Sequence, residues 1–384
     1  MPELRYFTAG ESHGPCLIGV VEGLPAGLKL DLAAINRDLA RRQQGYGRGG
    51  RMKLETDQAE VLSGIRHGET IGSPVAFMVK NRDFKIDVLP AVTKPRPGHA
   101  DLAGVIKYDR QDARDILERS SARETTMRVA IGGACKLLLA EIGVDIVGHI
   151  VSLGMVQAKT DGLTFAQIRE RSEASEVRCA DATAEKQMIE AIDAAKAQGD
   201  TLGGVFEVIA IGVPVGLGSH VQWDRKLDAN LARGLMSIQA MKGVEVGLGF
   251  EAARRFGSQV HDEILPAQNG VLTRSGNNAG GFEGGMTNGQ PVVVRVAMKP
   301  LSTLMKPMRS VDIQSGEEVK ATVERSDVCA TPAAAVIGEA VVAFELAKAV
   351  LDKFGGDSVR ELKRNADSYR ESCKRWGGGL QSLL

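Results

Sequence analysis

Apolar positions along the chain gather in short stretches bounded by glycine, and such stretches predict strands. They are CLIGVVE at Cys16–Glu22, VAFMVK at Val75–Lys80, and Val/Ile-rich runs over 144–152, 205–213 and 291–297. Longer stretches repeat apolar residues at helical spacing over 31–43, 110–141, 183–197, 225–241 and 331–353. In the first of these, Asp31 is placed to cap the helix, and Leu32, Ile35 and Leu39 form its apolar stripe. The last is apolar nearly all round, which predicts a helix buried in the core. Residues 52–62 read as an extended segment. The predicted strands and helices do not alternate regularly, so a mixed α+β fold fits better than a doubly wound sheet. No stretch reads as a linker, and even the polar region 158–199 contains a helical pattern. Past Asp357 the chain turns polar and ends near a glycine run, which predicts a peripheral tail.

Charge sharpens this picture. The chain has 384 residues, with 48 Lys and Arg against 48 Asp and Glu. A neutral chain argues against nucleic-acid and membrane-surface binding, which draw on excess basic charge. The first residues, MPELRYFTAGESHG, lack the apolar segment of a signal peptide, and no apolar run reaches bilayer length. Five widely spaced cysteines with no C-x-x-C pair point to reduced thiols in the cytoplasm and no zinc site. Cys16 and Cys329 read as small buried hydrophobes.

Within this neutral chain, RRQQGYGRGGRM at residues 41–52 packs four arginines and four glycines into twelve residues. Arginine presents a flat, permanently charged fork to phosphate or carboxylate. Glycine lets a ligand approach the backbone closely. The loop therefore reads as a grip for a small anion. Gly45, Gly47 and Gly50 also spell the dinucleotide fingerprint, but a helix precedes the loop and an extended segment follows it, the reverse of the required context. The bland alternative is a solvated loop, and an RGG-like RNA-binding segment is a further one.

Other constellations surround it. GESHG (10–14) and PRPGHAD (95–101) each set a histidine in a rigid Gly/Pro loop, where a proton-transfer role is plausible and a structural one is the alternative. RSSARET (119–125) falls inside a predicted long helix; its arginines either face an anion or pair with Glu118 or Glu124. NNAGGFEGG (277–285) could admit a flat ligand or simply turn. KPLST (299–303) offers a cation and two hydroxyls to a phosphate. In RSD (325–327), Asp327 is either a helix cap or an acid/base. No H-E-x-x-H, D-x-D, G-x-S-x-G or Walker A pattern is present, so no protein-held metal is expected.

Taken together, these motifs closely resemble the chorismate synthase family. The matching stretches are GESHG, RRQQGYGRGGRM, SGIRHGETIGSPVAF (63–77), RPGHADLAG (96–104), ERSSARET (118–125), SIQAMKGVEVGLGF (237–250), GNNAGGFEGGMTNG (276–289), KPLST and RSDVCATPAA (325–334). The resemblance implies one catalytic domain over 1–355, a β-α-β sandwich, with 356–384 as a tail. It also implies a cytoplasmic homotetramer with no nucleic-acid or membrane partner. The implied reaction is the anti-1,4-elimination of phosphate from 5-enolpyruvylshikimate 3-phosphate to give chorismate, with reduced FMN required and no net redox change.

By the same resemblance, Arg42, Arg48, Arg51 and Arg123 grip the substrate. His13 protonates the leaving phosphate, and His99 sits by the flavin pyrimidine edge. Asp327 assists removal of the C6 hydrogen, with Ser12 as a relay. The FMN contacts fall to Ser121, Ala122, Arg123, Gln239, Ala240, Gly284, Lys299, Pro300, Leu301, Ser302, Thr303 and Arg325. Ser120 stands where the family has alanine. No nicotinamide site is evident, so a flavin supplied already reduced is expected. The rival readings are another FMN-dependent reductase and, from a different class, an RNA-binding protein.

Overall fold

A computed structural model describes residues 3–49, 56–268, 271–324 and 326–374. Arg51 and Arg325, two of the expected site residues, lie outside the described residues.

The fold is a β-α-β sandwich. The first sheet has four antiparallel strands in the order Arg5–Ala9, Cys16–Glu22, Val75–Lys80, Glu60–Ser63. Strand alternation places Leu17, Gly19 and Val21 on one face, in register with Val79, Phe77 and Val75, and all six are buried. The second sheet has five antiparallel strands in the order Met241–Val246, Val292–Met298, Gly204–Ile211, Asp145–Leu153, Val156–Gln157. Its inner face is a grid of Phe206, Val208 and Ala210 paired with Val296, Val294 and Val292. On its other face His149, Glu207 and Arg295 line up across three strands, with His149 Nε2 3.1 Å from Glu207 and Arg295 donating to the same carboxylate at 2.7 Å.

Helices fill the space between the sheets. Helix Thr125–Ala140 lies against the first sheet and helix Thr331–Phe354 against the second, and the two pack on each other. Helices Leu32–Gln43 and Leu227–Met236 flank this pair. Asp31 caps the first of them as expected, its side chain accepting from Ala33 and Ala34 N–H. The near-uniform apolarity of 331–354 is explained: this helix faces a sheet on one side and helices on the others, and most of it is buried. Glycines permit the close approach. A methyl on Gly132 would sit 2.4 Å from Ala340 Cβ and 2.5 Å from its Cα, and one on Gly148 would sit 2.7 Å from the Ala335 carbonyl. Because the obstruction is backbone, Gly132→Ala is expected to cost about 1–3 kcal/mol, read as a lower urea midpoint.

Three expectations need correction. The long helix over 110–141 is broken: helix Arg114–Ser120 ends, Ser121 turns extended (φ −61°, ψ 141°), and a 3-10 turn at Ala122–Glu124 leads into Thr125–Ala140. The Ser121 hydroxyl accepts from Arg123 N–H, the local competition that makes serine a cap former. Helix Leu227–Met236 is shorter than the 225–241 pattern, because Met241–Val246 leaves it to pair with Val292–Met298. The segment after Asp357 is not peripheral as far as residue 374. It forms helix Val359–Cys373, which buries Val359, Leu362 and Ala366 in the main core. Ala26 N–H donates to the Asp357 carbonyl and Val359 N–H to the Ala26 carbonyl, tying this helix to the N-terminal third of the chain.

Candidate active site

The break at Ser121 turns the ERSSARET segment toward the loop joining the first two strands. Ser121 Oγ lies 3.2 Å from Ser12 Oγ, and Ser12 N–H donates to the Glu118 carbonyl at 2.9 Å. Glu118 holds His13 twice: one carboxylate oxygen accepts from the His13 backbone N–H at 2.7 Å, the other lies 2.9 Å from Nδ1. On the far side of the ring, Nε2 is 3.8 Å from Asp83.

The arginines are joined to this loop by a chain of polar contacts. Asn81 donates to the carbonyls of Glu11 and Gly14 and accepts from Arg123 Nε at 2.9 Å. Arg123 Nη1 donates to both oxygens of Asp57 at 2.7 and 2.8 Å, and Arg42 Nη2 donates to Asp57 at 2.8 Å. All three charged groups are buried. Burial pushes the Asp57 carboxyl up, but the two guanidiniums outweigh it and hold it below the ordinary carboxylate range. Arg42 Nε is buried with no hydrogen-bond partner among the described residues, a donor suited to an anion.

Arg48 sits on the glycine loop and meets Asp327 at 3.0 Å, and Gly49 N–H donates to the same carboxylate at 2.6 Å. Asp327 is therefore not the helix cap: Ala330 occupies that position, and no side chain caps the helix. The arginine cluster is also split. Residues one apart on a helix point about 100° apart. Arg42 thus faces the site while Arg41 turns to Glu339, Asp38 and Glu173. Arg119 takes neither expected role: it donates to the carbonyls of Thr8 and Gly10.

A second cluster joins RPGHAD to KPLST. Asp101 is fully buried and accepts from Arg96 at 2.8 Å and from His99 Nδ1 at 2.5 Å. Burial raises its carboxyl, and the His99 and Arg96 hydrogen bonds more than reverse this, leaving it well below the usual range. Arg96 also donates to Thr303 Oγ1 at 2.9 Å. Lys299 Nζ and Ser302 Oγ both donate to the Gly98 carbonyl, and Leu301 O accepts from Thr201. Pro300 packs over Gly203, where a methyl would lie 2.8 Å from its nitrogen. Lys299 N–H donates to the carbonyl of Ala240, a non-glycine residue held at φ 69°. Such strain persists only where surrounding structure enforces it. Next to it, Gln239 donates to Glu124, which also binds Arg128 and Thr8.

These residues suit reduced FMN chemically. Gln239 Oε1 is a buried acceptor without a partner among the described residues, suited to a flavin N–H or ribityl hydroxyl. An ammonium, two hydroxyls and a guanidinium gathered at Lys299, Ser302, Thr303 and Arg96 suit a phosphate monoester. Gly284 stands apart from both clusters. It lies at φ 62° in the hairpin of Phe282–Glu283 and Met286–Thr287, whose Gly285 carbonyl accepts from Leu227.

A family model described as chorismate synthase matches residues 4–351. The chain belongs to the chorismate synthase family. Chorismate synthase of Geobacter sulfurreducens is 58% identical over 387 residues, covering 96% of this chain and 98% of that one. That of Symbiobacterium thermophilum is 58% identical over 390 residues, covering 97% and 100%. A crystal structure of chorismate synthase matches with a TM-score of 0.81 at 44% identity, over 97% of this chain and 99% of that one.

In this chorismate synthase family member, sequence reading missed the residues that hold the others in place. Asp57, Asn81, Asp101 and Glu118 are all buried, and each binds at least one of the expected site residues or their neighbours. Glu118 and Asp101 lay within quoted motifs, and a carboxylate beside a histidine or arginine motif is the signal that could have found them. Asp57 and Asn81 carried no such signal.

Proposed function

We propose the following reading of this chain as a chorismate synthase. It is a carbon–oxygen lyase that eliminates phosphate from 5-enolpyruvylshikimate 3-phosphate in 1,4 fashion to give chorismate, within the shikimate pathway of aromatic amino-acid biosynthesis. The observation that carries the residue-level reading is the joining of the Glu11–Gly14 loop, which carries His13, to Arg123 and Arg42 through Asn81 and Asp57 in a chain of zero net charge.

The substrate carries a phosphate and two carboxylates. Arg42, Arg48 and Arg123, with Arg51, hold it, and their fixed positive charge meets the negative charge that grows on the departing phosphate. His13 gives the phosphate its proton. Asp327 assists removal of the C6 hydrogen, with Ser12 beside the same loop as relay. Reduced FMN would supply electron density to the departing allylic system with no net redox change. Lys299 to Thr303, Gln239, Ala240, Gly284, Arg325 and the Ser121–Arg123 turn would hold it, with His99, fixed by Asp101, as the group that would tune its protonation. The flavin arrives already reduced.

The assembly is a homotetramer in the cytoplasm. Large apolar side chains left exposed over 250–272, Phe250, Phe256, Ile264 and Leu272, support a surface covered by other subunits. No described helix is long and apolar enough to cross a membrane.

The test is anaerobic turnover followed by chorismate absorbance. Product with chemically reduced FMN alone is the expected result. Product also with oxidised FMN plus NADPH would add a flavin reductase, and no product from folded protein would overturn the reading. In the same assay, Asp327→Asn is expected to keep FMN affinity and lose at least about 10²-fold in kcat. Loss of folding instead would make Asp327 an anchor for the Gly47–Gly49 turn.

A further inference from the structure

His13 has one ring nitrogen, Nδ1, held by Glu118 and the other, Nε2, 3.8 Å from Asp83. Glu118 is 2% exposed, and three of its atoms grip the loop that carries Ser12 and His13. Its carbonyl accepts from Ser12 N–H at 2.9 Å, Oε2 from His13 N–H at 2.7 Å, and Oε1 lies 2.9 Å from His13 Nδ1. Arg114 approaches Oε1 at 3.4 Å and is itself anchored on Glu324 and the Pro90 carbonyl. From the opposite loop, Asp83 lies 3.8 Å from Nε2 and pairs with Lys85. An ionised carboxylate only accepts, so Nδ1 must be the donor in this pair.

We propose that Glu118 is a positioning residue for the elimination: it fixes the Nδ1–H form of His13, so that the proton given up always leaves from Nε2. This rests on the proton-donor reading of His13 above. The two carboxylate oxygens are both needed. Oε2 serves the backbone N–H and Oε1 lies nearest the ring, with Oε2 also 3.1 Å from Nδ1, so the ring proton meets only acceptors on this side. Burial raises the Glu118 carboxyl, but the hydrogen bonds from His13 hold it below the ordinary glutamate range, which keeps it ionised and accepting.

Glu118→Gln makes this testable, since glutamine keeps the shape and offers one acceptor and one donor. The backbone N–H of His13 takes the oxygen, and the amide N–H then occupies the position nearer Nδ1, 2.9 Å away against 3.1 Å for the oxygen. The neutral ring is driven to the Nε2–H tautomer, and the doubly protonated ring meets an N–H where it needs an acceptor. The loss of the correct tautomer is what disables a histidine whose carboxylate is replaced by an amide.

The experiment is ¹⁵N NMR of histidine-labelled full-length protein, with the His13 signals assigned by their loss in His13→Asn, alongside steady-state kinetics with reduced FMN. The wild type is expected to show Nδ1–H in its neutral ring, and Glu118→Gln to show Nε2–H. In the variant kcat should fall by about 10²-fold or more while KM stays near the wild-type value. Wild-type kcat in the variant, or an unchanged tautomer with kcat and KM impaired together, would overturn the proposal. If Glu118→Gln does not fold, the wild-type spectrum decides alone: a neutral His13 ring protonated on Nε2 overturns it. Failure of wild-type turnover would instead overturn the proposed function, and the tautomer measurement would still report on the Glu118–His13 pair.

Discussion

Replacing His13 with alanine is expected to lower kcat by about 10²–10⁴-fold, the usual contribution of a positioned proton donor. The KM for 5-enolpyruvylshikimate 3-phosphate should change little. The proposed substrate grip lies on other elements, with Arg42 on helix 32–43, Arg48 on the glycine loop and Arg123 in the 3-10 turn ahead of the 125–140 helix. A proton handed over only as the C–O bond breaks contributes to the transition state and not to the ground-state complex. The fold should survive, because the ring is part-exposed and the loop stays pinned by Ser12 and His13 backbone N–H groups on Glu118. Steady-state kinetics with a paired thermal melt would check both halves. A variant whose KM rises while kcat holds would make His13 a binding residue.

The largest effect on stability is expected from Glu339→Gln. Glu339 lies fully buried in the middle of the 331–354 helix. It accepts from Arg41 at 2.7 Å, Lys136 at 2.5 Å and the Gly148 N–H at 2.8 Å. Three helices and one strand thus converge on one carboxylate. Removing its charge leaves Arg41 and Lys136, among the described residues, with Asp38 and Glu173 on their flanks. Breaking a buried pair from one side costs about 3–5 kcal/mol, measurable as a lower urea midpoint at unchanged slope. The pH dependence follows from the same contacts. Burial raises the carboxyl, and the attraction of Lys136 and Arg41 outweighs it, so the folded value lies far below the ordinary 4.5. The stabilisation is therefore complete above about 4.5 and fades as pH falls from there toward the folded value. Wild-type stability should drop on acidification through this window, and that of Glu339→Gln should drop less.

How much of this was legible in the sequence depended on which physics wrote each feature. Strands Cys16–Glu22 and Val75–Lys80 matched to the residue, since Gly or Pro punctuation and apolar runs are local signals. So did the start of the first helix, where Asp31 caps its own N–H groups. Arg5–Ala9 and Met241–Val246 were missed because both are edge strands with mixed composition, and each exists through its partner. The helix over 110–141 was overread, because a period of apolar residues continues through Ser121 while the backbone does not. In the site, residues that would touch a ligand stood in dense motifs. Residues that hold them, such as Asp57 beneath Arg42 and Arg123, are single carboxylates whose meaning is made by contacts across 15 and 66 positions of chain.

The helix at the centre of the sandwich is synthesised after both of the sheets it lies between. Both sheets are complete by residue 298, yet the 331–354 helix that lies against one of them and against the 125–140 helix comes later. On the ribosome, the inner grid of Phe206, Val208 and Val294 and the free flank of the 125–140 helix must wait uncovered until that segment has emerged. Apolar surface that waits in this way is a target for chaperones and a route to aggregation. Final closure of the core accordingly waits for the synthesis of residues 331–354, whatever order the two sheets form in.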